Sequence, residues 1–256
     1  MEMLIRLLVV AGLAYVAFCA LLFFLQDRMI FFPRPLDGRP SGPDVEPLAI
    51  HAGEALLRGW VVNPDRGGVV SVYFGGNAEE VSHLVAPFAK LDATSVLVNY
   101  RGFGESEGTA SAAALLQDST FVVEWVRERF AGRELAIVGR SLGSGIAARA
   151  AAEAGVERLV LVSPYRSIAH IASSRFPFVP VRWLLRHNID VAEVAAKLPV
   201  GVLVIHALDD RVVPTAESQA LVGLLREPQV VIWNGPHNVQ LDSPPIWPAM
   251  RAYLER

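Results

Sequence analysis

One serine in the sequence occupies a setting that suits nucleophilic chemistry. Ser141 is the central residue of residues 139–143, Gly-Arg-Ser-Leu-Gly, which fit the pattern Gly-x-Ser-x-Gly. A serine hydroxyl attacks a carbonyl carbon efficiently only when a base accepts its proton, and a carboxylate commonly orients that base. His237 follows the last predicted strand, and the adjacent Asp209 and Asp210 follow the strand before it. This order predicts acyl transfer through Ser141, with His237 as the base and one of the two aspartates as its partner.

The segments around Ser141 predict a sharp turn that projects its side chain. The pattern begins where the apolar run 135–138 ends and leads into the alanine-rich segment 146–152, so strand, turn and helix are predicted in that order. Glycines two residues before and two after the serine relieve crowding in such a turn. The helix N-terminus offers unpaired N–H groups to a developing oxyanion, and we expect the Leu142 N–H to be one donor.

A glycine-rich phosphate turn is the competing interpretation, because residues 143–148 fit the pattern Gly-x-Gly-x-x-Ala. Dinucleotide binding requires an acidic residue at the end of the next strand to hold the ribose hydroxyls. The next apolar run, 159–162, is followed by Ser163 and Pro164 instead. The sequence therefore favours the nucleophilic turn.

Short apolar runs alternate with longer segments of helical periodicity from about residue 45, which is typical of βαβ units around a mostly parallel sheet. Eight strands are predicted, at residues 48–51, 56–62, 69–74, 95–100, 135–138, 159–163, 202–207 and 230–233. Helices on both faces of the sheet are predicted at residues 78–91, 112–130, 143–154, 215–225 and 246–254. Residues 164–199 interrupt this alternation and predict a short cap insertion. The predicted class is therefore an α/β fold.

Residues 1–28 predict a membrane anchor. Residues 7–25 contain no charge, amide or proline, and a helix of this length reaches roughly 28 Å, close to the hydrocarbon thickness of a bilayer. A cleaved signal peptide and a lipid-modified Cys19 are the alternatives, although residues 17–20, Ala-Phe-Cys-Ala, fit either cleavage pattern poorly. The proline-rich residues 29–44 predict a connector to a domain at 45–256. The flanking charges do not decide which side of the membrane this domain occupies.

The composition excludes several other classes of protein. The net charge is −3 and the pI about 6.1, so the chain lacks the cationic surface that nucleic-acid binding requires. Cys19 is the only cysteine, which excludes an intrachain disulfide and a thiolate zinc cluster. The predicted chemistry requires neither a metal nor an organic cofactor.

Four motifs occur in order along the chain. They are residues 75–78 (Gly-Gly-Asn-Ala), 99–108 (Asn-Tyr-Arg-Gly-Phe-Gly-Glu-Ser-Glu-Gly), 139–145 (Gly-Arg-Ser-Leu-Gly-Ser-Gly) and 206–214 (His-Ala-Leu-Asp-Asp-Arg-Val-Val-Pro). Together they resemble the α/β-hydrolase superfamily, in particular its membrane-anchored serine hydrolases, which include depalmitoylase-like and lipase-like members. The resemblance covers about residues 26–250.

This resemblance implies roles for several residues. It favours Asp210 over Asp209 as the acid, because Asp210 has the family's spacing to the following Val-Pro pair. The loop after the third strand is expected to supply the second oxyanion donor, and the Asn77 N–H is our choice. Gly75 stands where the family usually has a histidine, which removes a side chain expected to brace that loop. Residues 101–108 are expected to shape the rim of the site, and His206 to be packed and hydrogen-bonded.

The predicted function is that of a serine hydrolase that cleaves an acyl ester, thioester or amide through an acyl-serine intermediate. The anchor and the apolar cap residues 176–185, which include Trp183, favour a lipophilic acyl substrate, although core packing explains the cap residues almost as well. Two alternatives stay open. The domain could be a catalytically silent, membrane-tethered binding protein, or a serine peptidase with the same triad chemistry. The sequence does not indicate an oligomeric state.

Overall fold

The computed structural model describes the whole chain, residues 1–256. Its strands are β1 (Val45–Ala52), β2 (Ala55–Val62), β3 (Val70–Phe74), β4 (Thr94–Val98), β5 (Leu135–Arg140), β6 (Arg158–Val162), β7 (Leu203–Ala207) and β8 (Gln229–Trp233). Its α-helices are α1 (Glu2–Ile30), α2 (Val85–Phe88), α3 (Ala112–Arg129), α4 (Leu142–Ala154), α5 (Ile168–Arg175), α6 (Val181–Leu184), α7 (Thr215–Val222) and α8 (Ile246–Leu254). Two 3₁₀-helices cover Val81–Leu84 and Ala192–Lys197.

The eight strands form one sheet in the order β1-β2-β4-β3-β5-β6-β7-β8. The pairs β1–β2 and β2–β4 are antiparallel, and every other neighbouring pair is parallel. The predicted eight-stranded, mostly parallel α/β-hydrolase fold is confirmed. Because parallel strands end at the same edge of a sheet, the loops that follow β3, β5, β7 and β8 meet there.

Both faces of the sheet are buried, because the strands are apolar at consecutive positions. In β5, Leu135 and Ile137 pack in one hydrophobic cluster, while Ala136 and Val138 pack in a second cluster on the opposite face. Helices α3 and α4 cover the first face, and α8 with the 3₁₀-helix Val81–Leu84 covers the second. The sheet edge that carries the loops is therefore held between two packed layers.

The helix predicted at residues 78–91 is a correction. The structure has a loop, the 3₁₀-helix Val81–Leu84 and the single turn α2 in its place. Side chains take the N–H groups that a longer helix would use: the Asn99 Oδ1 accepts the Val81 N–H, and the Glu80 carboxylate accepts the Ser82 N–H. Local side-chain bonds of this kind compete with helix formation.

Helix α1 is a continuous, apolar helix with a mean hydropathy of 2.7 over its most apolar 18-residue window. Only 6% of that window is buried within the structure. The helix is long and apolar enough to cross a membrane. Its length and exposure make it a candidate transmembrane segment.

The C-terminal half of α1 contacts the segment that contains α5 and α6, which lies in residues 164–199 and which we call the cap. The Gln26 side chain donates to the Leu184 carbonyl at 3.2 Å and accepts the Arg186 N–H at 2.7 Å. Asp27 forms an ion pair with Arg186, at 2.9 Å, and its carboxylate also hydrogen-bonds the His187 ring. The candidate membrane helix is therefore attached to the cap by polar contacts near its end.

Candidate active site

Three loops bring Ser141, Asp210 and His237 together at the carboxyl edge of the sheet. Ser141 directly follows β5, Asp210 follows β7 and His237 follows β8. The His237 Nε2 lies 2.9 Å from the Ser141 Oγ, and the His237 Nδ1 lies 2.6 Å from the Asp210 Oδ2. All three residues are buried. The geometry forms a continuous chain of hydrogen bonds from hydroxyl to carboxylate.

Ser141 has a strained backbone conformation with a positive φ of 51° and a ψ of −119°. Close packing explains the two flanking glycines. A Cβ at Gly139 would lie 2.3 Å from the Gly143 carbonyl oxygen, and a Cβ at Gly143 would lie 2.1 Å from the Phe74 carbonyl oxygen. The chain can make this turn between β5 and α4 because neither position has a side chain. The strained turn points the Ser141 hydroxyl out of the sheet edge.

Asp210 rather than Asp209 meets the histidine. Asp209 is exposed, whereas the second carboxylate oxygen of Asp210 accepts the N–H groups of Val212 and Val213 at 2.9 and 2.7 Å. Burial by itself raises the pKa of Asp210. The hydrogen bond and charge of His237, together with the two N–H groups, outweigh burial and lower this pKa below its usual value. The carboxylate is therefore held ionised beside the ring.

One predicted oxyanion donor directly follows Ser141 in the chain, and the other lies in a loop that lines the same cavity. Leu142 is the first residue of α4, so no carbonyl within the helix accepts its N–H. Asn77 lies in the loop after β3 and lines the same cavity as Ser141. The Asn77 side-chain amide donates to the Ile30 carbonyl at 3.1 Å, and the Asn77 backbone carbonyl accepts the Phe32 N–H at 2.9 Å. The end of α1 therefore holds this loop in place.

The loop after β3 is braced although Gly75 replaces the usual histidine. The buried Glu79 carboxylate accepts the Gly76 N–H at 2.7 Å and the Tyr73 hydroxyl at 2.9 Å. The Tyr100 hydroxyl donates to the Gly75 carbonyl at 2.8 Å. A Cβ at Gly75 would lie 3.1 Å from a Glu79 oxygen, so the glycine leaves room for this carboxylate. Glu79 therefore supports this loop in place of the histidine side chain that Gly75 lacks.

Arg140 links this loop to the histidine loop. Its guanidinium pairs with Glu79 at 3.0 Å and donates to the Val239 carbonyl at 2.8 Å and the His237 carbonyl at 3.5 Å. Burial opposes the charge on Glu79, but the His83 ring 3.6 Å away, the charge of Arg140 and the hydrogen bond from the Gly76 N–H lower its pKa to about 2. The sequence analysis missed this pair, although Arg140 ends β5 and Glu79 lies in the loop after β3.

The site opens into a polar cavity of 500 Å³. Only one of its thirteen lining residues is hydrophobic, and both signs of charge are present. The charged residues are Arg34, Asp37, Glu79, Glu80 and Arg140, and His83 adds a titratable ring. A cavity of this kind fits a polar group of a substrate better than a hydrocarbon chain.

Two further expectations concern residues outside the cavity. The stretch 101–108 supports the rim, because the Gly104 N–H donates to the carbonyl of Arg34, which lines the cavity, at 2.8 Å. Arg101 forms a paired contact with Asp118 away from the cavity. His206 is buried in β7, as expected, but its Nδ1 has no hydrogen-bond partner, so the expectation that it is hydrogen-bonded is wrong at that atom.

The fold and the arrangement at its carboxyl edge define an α/β-hydrolase, and the chain belongs to that superfamily. The family described as "Serine aminopeptidase, S33" matches residues 69–187, a range that contains Ser141 but ends before Asp210 and His237. The uncharacterised protein Rv2307c of Mycobacterium tuberculosis is 31% identical over 266 residues, covering 96% of this chain and 94% of that protein.

Two other similarities concern proteins with a stated activity. The lysophosphatidylserine lipase ABHD12 of Danio rerio is 30% identical over 195 residues, which are 67% of this chain and 50% of ABHD12. The Pyrococcus furiosus esterase Pf2001 shares the fold with a TM-score of 0.68 at 16% identity, covering 88% of this chain and 98% of the esterase chain. The family and these relatives support a hydrolase of the α/β fold.

Proposed function

We propose that the protein is a serine hydrolase that cleaves an acyl ester or thioester through an acyl-serine intermediate. The observation that carries the proposal is the chain of hydrogen bonds from Ser141 through His237 to Asp210. In this proposal His237 is the general base, Asp210 orients and stabilises the ring, and Ser141 is the nucleophile.

The first half of the reaction forms the acyl-enzyme. The Ser141 Oγ attacks the carbonyl carbon while the His237 Nε2 accepts the hydroxyl proton. The N–H groups of Leu142 and Asn77 bind the resulting oxyanion, and each such donor typically accounts for about 10²- to 10³-fold in rate. When the intermediate collapses, the bond to the leaving group breaks and His237 returns its proton to that group.

The second half repeats these steps with water. His237 removes a proton from a water molecule, whose oxygen attacks the acyl carbon, and the bond to the Ser141 Oγ then breaks as that oxygen regains the proton. The ionised Asp210 accepts a hydrogen bond from the Nδ1 throughout and so fixes the tautomer in which Nε2 faces the serine.

Glu79 and Arg140 are positioning residues in this proposal. Glu79 fixes the Gly76 N–H next to the Asn77 donor, and Arg140 connects Glu79 to the backbone of the loop that carries His237. The base and the oxyanion donors must hold their relative positions within a fraction of an ångström. The ion pair of Glu79 and Arg140, together with the hydrogen bonds from Arg140 to the histidine loop, meets that requirement.

We propose a membrane lipid with one polar head group and an acyl chain as the substrate class. The polar cavity next to Ser141 suits the head group, and α1 suits a single-pass membrane anchor that keeps the domain at a bilayer. The relative named as a lysophosphatidylserine lipase supports the same class. This substrate is a single-chain lipid ester.

Replacement of the nucleophile tests the proposal. Wild-type protein is expected to react with a fluorophosphonate probe, because the Ser141 Oγ attacks phosphorus and displaces fluoride. Ser141→Ala is expected to lose both this labelling and the hydrolysis of p-nitrophenyl acetate, while Ser144→Ala keeps them. A folded Ser141→Ala protein that retains wild-type turnover contradicts the proposal, and unlabelled wild-type protein supports the catalytically silent alternative.

A peptidase is the second candidate, favoured by the match to the family described as a serine aminopeptidase. The same nucleophile, base and oxyanion donors serve amides and esters. Wild-type kcat/KM for an aminoacyl p-nitroanilide and for a p-nitrophenyl ester separates the candidates. We expect the ester to be favoured by at least about 10²-fold, and the reverse order supports the peptidase.

A further inference from the structure

The C-terminal half of α1 and the cap enclose an apolar groove of 420 Å³. Twelve of its fourteen lining residues are hydrophobic, and the exceptions are Gln26 and Arg175. Leu22 and Ile30 form part of the α1 wall, and Ile171 forms part of the cap wall. The groove thus differs in chemistry from the polar cavity next to Ser141.

The cap extends along α1 to the middle of the apolar run 7–25. The Tyr15 hydroxyl donates to the Phe178 carbonyl at 2.8 Å, and the Gln26 amide donates to the Leu184 carbonyl at 3.2 Å. Gln26 follows Tyr15 by eleven positions in the helix, which corresponds to roughly 16 Å along the axis. If α1 crosses a bilayer, Phe178 lies at the depth of the hydrocarbon.

Residues 176–185, which we call the cap tip, suit such a depth because most of their backbone N–H groups are paired. Pro177 and Pro180 have no N–H group. Most of the other N–H groups donate to backbone carbonyls, namely those of Phe176, Val179, Val181, Trp183, Leu184 and Leu185. Hydrocarbon cannot hydrogen-bond a polar group, so a segment within it must satisfy its backbone internally.

The cap tip also presents large apolar side chains to its surroundings. Phe178 is 87% exposed and Trp183 is 86% exposed. Neither contributes to the core, so core packing does not account for them. Aromatic side chains next to a membrane helix are typical of residues that contact lipid.

The groove and the polar cavity are neighbours. Ile30 lines the groove, and its carbonyl accepts the side-chain N–H of Asn77, which lines the cavity. One residue from each lining is therefore in direct contact, at 3.1 Å between the Asn77 amide nitrogen and the Ile30 carbonyl oxygen. An acyl chain in the groove and a head group in the cavity would therefore place the bond between them near Ser141.

We propose that the groove between α1 and the cap binds the acyl chain of a lipid that enters sideways from the bilayer, with the cap tip inserted in the adjacent leaflet. The inference rests on the proposed function of Ser141 and on α1 as a membrane span. It adds a route for the substrate, a site for its chain and a second membrane-contacting element.

Blocking the groove tests the acyl-chain site. Leu22→Trp fills the groove from α1, while Leu21→Trp adds the same ring at an exposed neighbouring position and is the matched control. The full-length variants are compared in phosphatidylcholine nanodiscs with p-nitrophenyl palmitate and p-nitrophenyl acetate. Leu22→Trp is expected to lower kcat/KM for palmitate at least tenfold and to leave acetate within twofold, and Leu21→Trp to leave both within twofold.

Turnover of p-nitrophenyl acetate distinguishes failure of the acyl-chain site from failure of the proposed hydrolase function. Equal effects of Leu22→Trp on both esters, or no effect on palmitate, overturn the acyl-chain site while the proposed hydrolase chemistry stands. Loss of acetate turnover in Ser141→Ala and its retention in Leu22→Trp support both. A wild-type protein without turnover of either ester overturns the proposed function, and the acyl-chain site with it.

Fluorescence tests the depth of the cap tip without any turnover. The emission of Trp183 is obtained by subtracting the tryptophan fluorescence of Trp183→Phe from that of wild-type protein. Both are measured in nanodiscs with and without bromine on the lipid acyl chains. We expect brominated lipid to quench this emission by about half or more, because Trp183 contacts hydrocarbon. Unchanged Trp183 emission overturns the insertion of the cap tip.

Discussion

The carboxyl edge of the sheet and the region between α1 and the cap differ in polarity: the first is lined mainly by polar side chains and the second mainly by apolar ones. At the sheet edge, the buried Glu79 and Asp210 and the partly buried Arg140 all have polar partners, and several bonds fix each position. Between α1 and the cap the lining is hydrocarbon, and a few polar contacts at Tyr15 and Gln26 fix the helix.

In the proposed enzyme, the sheet edge determines the rate of the chemical steps, and the groove determines the preference for chain length. Paired buried charges hold atoms to a fraction of an ångström, which the reacting groups require. An apolar groove holds a chain without fixing its position closely. Changes at the sheet edge should therefore affect kcat for every substrate, and changes in the groove should affect only long-chain substrates.

The largest effect is expected for His237→Ala. Without the ring, no group accepts the Ser141 proton, so kcat for p-nitrophenyl acetate should fall by about 10⁴-fold or more. Steady-state hydrolysis is the measurement, with circular dichroism to show that the variant is folded. A decrease smaller than tenfold in a folded protein would mean that another group is the base.

The next largest effect is expected for Glu79→Gln. Loss of the charge weakens the bond to the Gly76 N–H and leaves Arg140 without its anionic partner, so the oxyanion loop and the histidine loop lose their connection. We expect kcat to fall about 10²-fold with KM within threefold, since the interaction affects the transition state. Steady-state kinetics with p-nitrophenyl acetate checks this.

Glu217→Gln is the matched control for that variant. Glu217 is buried and pairs with Arg166 at 2.9 Å, away from Ser141. If both variants lower kcat equally, Glu79 contributes to general stability and not to positioning. If Glu79→Asp restores part of the rate, the bond to the Gly76 N–H is the relevant contact.

The same carboxylate predicts a dependence of stability on pH. The pKa of Glu79 is about 2 in the folded protein and 4.5 ordinarily, so its ionisation stabilises the fold fully above about pH 4.5 and progressively less as the pH falls towards 2. We expect the stability gap between wild type and Glu79→Gln to shrink by roughly 2 kcal/mol across this window. Thermal unfolding at pH 6, 4 and 3 measures the gap, and a constant gap contradicts the prediction.

The smallest effect is expected at the cap tip. Phe178→Ser and Trp183→Ser each remove one exposed side chain that the proposed insertion places in lipid, so hydrolysis of a long-chain ester in vesicles should fall about threefold, without change for acetate. Leu224→Ser, at an exposed apolar residue outside the cap tip, is the control. A similar loss for acetate would place these side chains in the site itself.

The sheet could be predicted because parallel strands buried on both faces are apolar at consecutive positions, as β5 and β6 are. The order of Ser141, Asp210 and His237 was likewise readable, because each follows a strand that ends at the same edge. The geometry of these residues agrees with that reading, while their catalytic roles stay a prediction.

The bracing of the site could not be predicted, because it depends on contacts between residues far apart in the chain. Arg140 and Glu79 are separated by 61 positions, and neither belongs to a motif that names the other. The helix predicted at residues 78–91 was wrong for the same reason. The N–H groups of Val81 and Ser82 bond to side chains, and hydrophobic periodicity does not reveal such contacts. The contact between Tyr15 and Phe178 spans 163 positions.

Peptide mapping of the acylated protein tests the central claim most directly. Wild-type protein is mixed with p-nitrophenyl acetate, quenched in acid within milliseconds, digested and analysed by mass spectrometry. The account predicts one added acetyl group, about 42 Da, on the peptide that contains Ser141, and none on that peptide in Ser141→Ala. Rapid turnover with no acetyl group on Ser141, or with the group on another residue, would contradict it.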